Sequence, residues 1–232
     1  MMYRNLLTAA ALLILPGVAM ADPADGSVLD APKLIQSVGA GYDLWKMRPA
    51  DSNSFSLNGF TLNYTADFLV SKSVPLYVGT GMQWGYFFRD KTYHGSENYN
   101  AVTANEHWKF VNVTFPVNVS YRVPVTPHIG LSPLLGFDFR VQLYGNRKTA
   151  VTTPHNQDLP GDMSGFTPGN VNLFSRKQLG EDALRRFQMG WHAGLKFHYD
   201  SFLISISYGT DFVKLRNELG SSNLMVNVGY MF

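Results

Sequence analysis

The sequence predicts an all-β fold, an eight-stranded antiparallel up-and-down transmembrane β-barrel, and three observations predict it. Eight stretches alternate apolar with polar or small residues at a period of two, the period of a strand. The connections between them alternate long and brief, as they do when every second connection faces the opposite side of a membrane. No stretch beyond the N-terminal segment supplies about 18 consecutive apolar residues, which argues against a helical crossing.

The composition agrees once alternation is allowed for. The 232 residues are 45% hydrophobic, 14% aromatic and only 16% charged, with a mean hydropathy near zero. Such an average suits a strand barrel, because lipid-facing and lumen-facing residues cancel. A net charge of +2 without a basic run argues against nucleic acid as a partner. The absence of cysteine rules out disulfides and also a lipid-anchored N-terminus, which needs a Cys at the cleavage site.

Residues 1–21 read as an export signal. Arg4 supplies the basic start, Leu6 to Leu15 the apolar run, Pro16-Gly17 the break and Ala19-Met20-Ala21 the cleavage site. A polar segment then gives a short periplasmic tail over 22–33, ahead of a barrel over 34–232.

The first strand spans 34–46, with Val38, Ala40, Tyr42 and Leu44 on one face and Gly39, Gly41 and Asp43 on the other. The second, 55–70, sets Phe60, Leu62, Tyr64, Ala66 and Phe68 against Thr61, Asn63, Thr65 and Asp67. After a brief turn at 71–75, the third (76–89) turns Val78, Met82, Trp84, Tyr86 and Phe88 outward and Gly79, Gly81, Gln83, Gly85 and Arg89 inward. A polar connection over 90–107 leads to the fourth, 110–121, where Val111, Val113, Phe115, Val117 and Val119 oppose Asn112, Thr114, Asn118 and Ser120.

A turn around 123–127 precedes the fifth strand, 128–145, which puts Leu135, Phe137, Phe139 and Val141 opposite Gly136, Asp138, Arg140 and Gln142. The longest connection, 146–186, follows. The sixth strand, 187–199, exposes Trp191, Ala193, Leu195 and Phe197 and hides His192, Gly194, Lys196 and His198. Asp200-Ser201 reads as a two-residue hairpin turn into the seventh strand, 202–213, with Ile204, Ile206 and Tyr208 opposite Ser205, Ser207, Gly209 and Asp211. After a polar loop at 214–222, Leu224, Val226, Val228, Tyr230 and Phe232 give the last strand one uniformly apolar face. Pro116 and Pro133 each remove a ladder donor, which predicts a bulge or local break at both.

The polar faces are rich in glycine and small groups while the apolar faces carry Trp, Tyr and Phe near strand ends. This favours a membrane barrel with aromatic girdles over a soluble calyx, whose apolar face would point inward. Eight strands leave an interior that side chains can fill. Strand counting places Asp43, Asp138, His192 and Asp211 at middle depth, Arg140 and Arg89 nearer the outer end, and Asp67, Lys196, His198 and His128 nearer the periplasmic end. These nine network residues (His128 lies beside them) read as a salt-bridged plug in preference to a charged path for solutes or protons. The inward glycines leave room for a narrow channel or for aromatics to fold over them.

Other patterns carry less. His198-Tyr199-Asp200-Ser201 resembles the His-x-Ser element of lipid A deacylases, but it falls at a periplasmic turn, whereas those enzymes work at the outer leaflet. His94, Glu97, Glu106 and His107 have no metal-site spacing and read as solvated loop residues. The three Asn-x-Ser/Thr triplets at Asn63, Asn112 and Asn118 are alternating lumenal residues. Residues 146–186 form the best candidate for a lid, a binding surface or a partner contact, with a mobile surface loop as the equal alternative, and a short helical turn is expected over 177–186.

Gly39-Ala40-Gly41-Tyr42, the Phe-Pro step within Phe110 to Tyr121, and Gly130 to Phe139 together resemble the porin-type outer-membrane β-barrel family common in Bacteroidetes. The last strand, ending on Phe232, resembles the closing strand of such barrels. That resemblance implies a bacterial outer-membrane location and makes Tyr230 and Phe232 the signal read by the barrel-insertion machinery. The expected protein is a monomer in outer-membrane lipid, with no cofactor, no metal and no catalytic residues. It would act structurally or by binding a surface ligand or protein through 146–186. A narrow small-solute channel is the alternative, and a lipid-modifying enzyme a more distant one.

Overall fold

The computed structural model describes residues 32–50, 53–71, 74–97, 100–152, 168–216 and 218–232. The export signal, most of the tail, and residues 153–167 of the long connection lie outside the described residues.

The strands are β1 (Leu34–Pro49), β2 (Phe55–Ser71), β3 (Val74–Glu97), β4 (Asn100–Tyr121), β5 (Val123–Pro124), β6 (Ile129–Thr152), β7 (Gly169–Asn172), β8 (Phe187–Tyr199), β9 (Phe202–Asp211) and β10 (Leu219–Met231). Eight of them close a ring in the order β1, β2, β3, β4, β6, β8, β9, β10, every neighbour antiparallel. The closing seam is long, running from Ser37↔Met231 to Pro49↔Leu219. It is completed at its foot by Phe232, whose N–H and C=O exchange bonds of 2.9 and 3.1 Å with Gln36. Closure leaves no unpaired edge around the ring, the condition for strands to cross lipid.

The face each residue takes follows the period-two pattern. Phe60, Leu62, Phe137, Ile204, Ile206 and Val226 are exposed on the outside, whereas Asp43, Asn112, Arg140 and Gln188 are buried inside. A soluble calyx would show the reverse, so this is a transmembrane barrel whose apolar outer face meets lipid. Aromatic pairs lock neighbouring strands on the outer face: Tyr42–Phe60, Trp191–Tyr208 and Phe202–Tyr230 meet edge to face at 6.2, 6.4 and 6.0 Å. Single-chain barrels with an even number of antiparallel strands and an outward apolar belt are the architecture of the bacterial outer membrane, with short turns in the periplasm. The end carrying Leu34 and Met231 is therefore periplasmic.

Several expectations need correction. The polar stretch 90–107 is not a loop: β3 and β4 continue through it in unbroken register from Asp90↔His107 to Glu97↔Asn100. The first part of the long connection is also strand, since β6 pairs with β4 as far as Thr103↔Thr152 and carries β7 on its other edge. A membrane crossing needs about 9–11 residues of strand, so 24-residue β3 and β6 stand well above the lipid. Their alternation was hidden because both faces there are polar. Residues Arg176–Leu179 form a single helical turn, α1, continued by a 3₁₀ turn at Gly180–Asp182. Gly180, at φ 59°, ends α1 with a positive φ that a side chain would resist.

The prolines break pairing without a bulge. The β3–β4 ladder skips Phe115 and Pro116 and resumes in the same register, while Pro116 still pairs with Asp138. Pro133, within β6, lies opposite the gap between the end of β4 and the start of β5, and pairs without a shift with Leu195 of β8. The register shift near the outer end lies instead between Val111 and Asn112, where β6 has an extra residue at Leu143. Asp200, at φ 49°, occupies the predicted hairpin turn, a position Asp tolerates.

Candidate functional site

The lumen is built in three layers. At middle depth lies a polar network. Arg140 of β6 donates from Nη1 to Asp211 Oδ2 of β9 at 3.0 Å and from Nε to Thr114 Oγ1 at 3.4 Å. Asp211 Oδ2 also accepts a 2.5 Å bond from Ser221. Asp43 Oδ2 accepts from Asn223 at 3.4 Å, leaving Oδ1 without a partner. His192 Nδ1 and Asp138 Oδ1 are 3.0 Å apart, an ion-pair distance, but the angle is not that of a hydrogen bond. Lower down, Lys196 Nζ donates to Asp67 Oδ2 at 2.8 Å. Gly79 makes that pair possible, because a Cβ there would collide with Asp67 Oδ1 and lie 2.5 Å from Asn118 Oδ1.

Around these charges, amides and hydroxyls link the strands: Asn63 donates to Asn227, which donates to Ser205, and Gln142 donates to Gln188. Between them lies a cavity of about 80 Å³ reached by Asp138, Arg140, His192 and Lys196. A water needs ~10–15 Å³ on this measure, so the cavity has room for a few waters or a small ion.

Apolar layers close the network above and below. At the outer end Trp45, Met47, Leu57, Phe87, Phe110, Leu173, Leu215 and Leu219 form one buried cluster, with Phe55, Trp108, Phe174, Leu179 and Leu184 packed against it. Trp45 meets Phe87 and Phe110 edge to face, each at 5.3 Å. Phe87 lies across Gly59 and Gly85, where a Cβ would strike its ring. The segment from β7 through α1 to Arg186 is the strap over this plug. Leu173 N–H donates to Gly145 C=O at 3.0 Å. Arg186 covers the Phe174 ring at 4.5 Å and donates to the carbonyls of Gln142 and Leu143 at the bulge. At the periplasmic end Ile35, Tyr77, Leu203 and Met231 form a smaller cap.

Eight of the nine predicted network residues occupy the lumen. Asp43, Asp67, Asp138, Arg140, His192, Lys196 and Asp211 form the polar layer, and His198 sits beneath it with Ser132 Oγ 2.8 Å from its Nε2 and Met231 Sδ 3.0 Å from its Nδ1. His198 thus pairs with Ser132, not with Ser201. Arg89 shares the inward face but lies above the plug, stacked on Phe55 at 4.5 Å. His128 stands outside the lumen on an exposed turn, 2.6 Å from Asp200. Tyr230 faces outward and Met231 inward, beside a half-buried Phe232. His107 pairs with Asp90 at 2.6 Å, while Glu106 receives the Trp108 indole N–H at 3.4 Å. Among the described residues, no group of three or more His, Asp or Glu residues is arranged to hold a metal ion.

The plug was missed by sequence reasoning: parity turned Trp45 and Phe110 inward, but Met47 and Trp108 fall outside the strands predicted over 34–46 and 110–121. The signal was the row of large residues on both faces at the strands' outer ends.

No family model and no curated protein matches the chain. Among solved structures it is similar to Ail, the attachment invasion locus protein of Yersinia pestis, in complex with the heparin analogue sucrose octasulfate. The identity is 15%, over 87% of this chain and 100% of that one, with a TM-score of 0.44. It is similar also to Neisserial surface protein A, at 13% over 85% and 97%, TM-score 0.43. A third is the outer membrane protein OprG from Pseudomonas aeruginosa, at 9% over 85% and 95%, TM-score 0.34.

Proposed function

We propose that this is a non-conducting, non-enzymatic surface protein, in which the barrel serves as a rigid base and the outer extension of β3, β4, β6 and β7 makes the contacts. The observation that carries this reading is the buried aromatic plug with its strap, directly above the polar layer. A path for solutes would have to cross the Trp45, Phe87 and Phe110 rings, which are buried to 2% exposure or less. Strands that continue far beyond lipid serve no purpose in crossing it, and they give the exterior a paired, twisted sheet suited to binding.

The narrow-channel reading draws on one feature, the polar-lined middle cavity, and a single experiment separates the two. In planar bilayers the purified, heat-modifiable protein is expected to give no sustained current, and a Trp45→Ala, Phe110→Ala variant to give measurable current. Steady conductance by the unaltered protein would overturn the proposal. Replacing 92–105 with a two-residue Asn-Gly turn is expected to leave folding and insertion intact while removing part of the contact surface.

A further inference from the structure

The extension has an inner face above the plug, and its residues are set by register. Arg89 lies opposite Trp108, and Trp108 opposite Arg147, so the three form one row across β3, β4 and β6. Phe55 of β2 leans on this row, 5.6 Å from the Trp108 ring. Each guanidinium is stacked on a ring, Arg89 on Phe55 at 4.5 Å and Arg147 on Trp108 at 5.5 Å. A guanidinium held flat against an aromatic face is fixed in orientation, with its N–H edge left to meet an oxyanion.

Neither arginine spends that edge on a close carboxylate. Among the described residues Arg89 forms no ion pair, and Arg147 comes no nearer than 3.9 Å to Glu106, its buried Nε unpartnered. The next row sets Lys91 opposite Glu106, so three cations face one carboxylate. Arg48 and Lys148 also lie at or above the outer rim, where Asp90, Glu181, Asp182 and Glu218 lie as well.

We propose that the Arg89–Trp108–Arg147 row binds a sulfated or phosphorylated glycan at the cell exterior. This rests on the surface-binding reading above and names its ligand class. Two geometric facts select the class. Strands two apart are ~10 Å from each other and each guanidinium is held over its own ring, Arg89 over Phe55 and Arg147 over Trp108, so the two present separate anion sites, which a chain with charges on successive sugars engages together. The faces of Phe55 and Trp108 are taken by the guanidinium groups and by each other, so no open ring remains for a base to stack on, which disfavours single-stranded nucleic acid.

The test uses the full mature chain in zwitterionic phospholipid nanodiscs, each variant checked for heat-modified migration. Anisotropy of a labelled, heparin-derived octasaccharide is expected to report binding in low salt that weakens as salt rises. Arg89→Gln with Arg147→Gln is expected to lower affinity at least tenfold. A charge-matched control, Lys177→Gln with Lys214→Gln, is expected to change it less than twofold. Arg89→Lys with Arg147→Lys is expected to lose at least fivefold, because the charge remains and the planar fork does not. Inorganic sulfate is expected to compete only at far higher concentration, and single-stranded DNA of equal charge to bind more weakly. Equal loss in the control, equal binding of DNA, or no binding by the unaltered chain would overturn the proposal. If the bilayer current were nil but the octasaccharide did not bind, the surface reading would stand and only its ligand class would fall. Competition by vesicles bearing phosphorylated glycolipid would identify a membrane source of the glycan, and its absence a soluble one.

Discussion

Lys196 and Asp67 come from opposite parts of the chain and meet at 2.8 Å, each side chain no more than 10% exposed. Removing one member of such a pair leaves a buried charge without a counterion, a loss of about 3–5 kcal/mol, whereas replacing both with apolar groups is often close to neutral. Asp67→Asn is therefore expected to destabilise the barrel strongly, and Asp67→Asn combined with Lys196→Met to recover most of that loss, measured by urea unfolding in lipid vesicles. A double variant as unstable as the single one would show that the pair does not act as a unit. Parity of the strand pattern was enough to place both residues inward from sequence alone. It could not tell that Arg89, on the same parity, sits above a plug and not among the other charges. Parity fixes a face; depth and neighbours depend on the stagger of eight strands, which no single strand encodes.

The strap and the strand it covers illustrate the limit of pattern reading for whole elements. Gly145 is buried beneath Phe174, and a Cβ there would come within 2.5 Å of the Phe174 ring and 3.0 Å of Phe110. Gly145→Val should overpack this contact, at about 1–3 kcal/mol, and push the strap from the mouth while the barrel stays closed. The expected readout is trypsin cleavage at Arg176, Lys177 or Arg185 about tenfold faster in the folded, heat-modifiable protein; unchanged cleavage would mean that the strap is not seated through Phe174. The strands inside the lipid were legible because water and lipid impose opposite chemistry on their two faces. Above the lipid both faces of β3, β4 and β6 meet polar surroundings, so Lys91, Thr92 and His94 alternate nothing and read as loop. At the plug the contrast fails in the other direction, since Leu44 and Trp45, or Phe110 and Val111, are apolar on both sides.

Across the molecule, the stability of the barrel depends on which solvent its outer face meets. Register carries one apolar row across β1, β10, β9 and β8: Tyr42 lies opposite Val226, Val226 opposite Ile206, and Ile206 opposite Leu195. All four side chains are exposed, at 43%, 43%, 50% and 41%. In water such a belt would be an association surface, and a charge placed in it would be tolerated or would improve solubility. In lipid a charge near the midplane costs about 2–4 kcal/mol for Arg, with no compensation from the closed ladder on either side. Ile206→Arg is thus expected to lower stability by about that amount in vesicles, with a smaller loss in detergent micelles, where the side chain reaches water more easily. Ser205→Asn, one residue away on the lumenal face, serves as the comparison, since its neighbour Asn227 can accept or donate a hydrogen bond to it. A loss at Ile206 equal in vesicles and micelles would place the row away from the lipid core, and no loss at all would require an outer face that meets water.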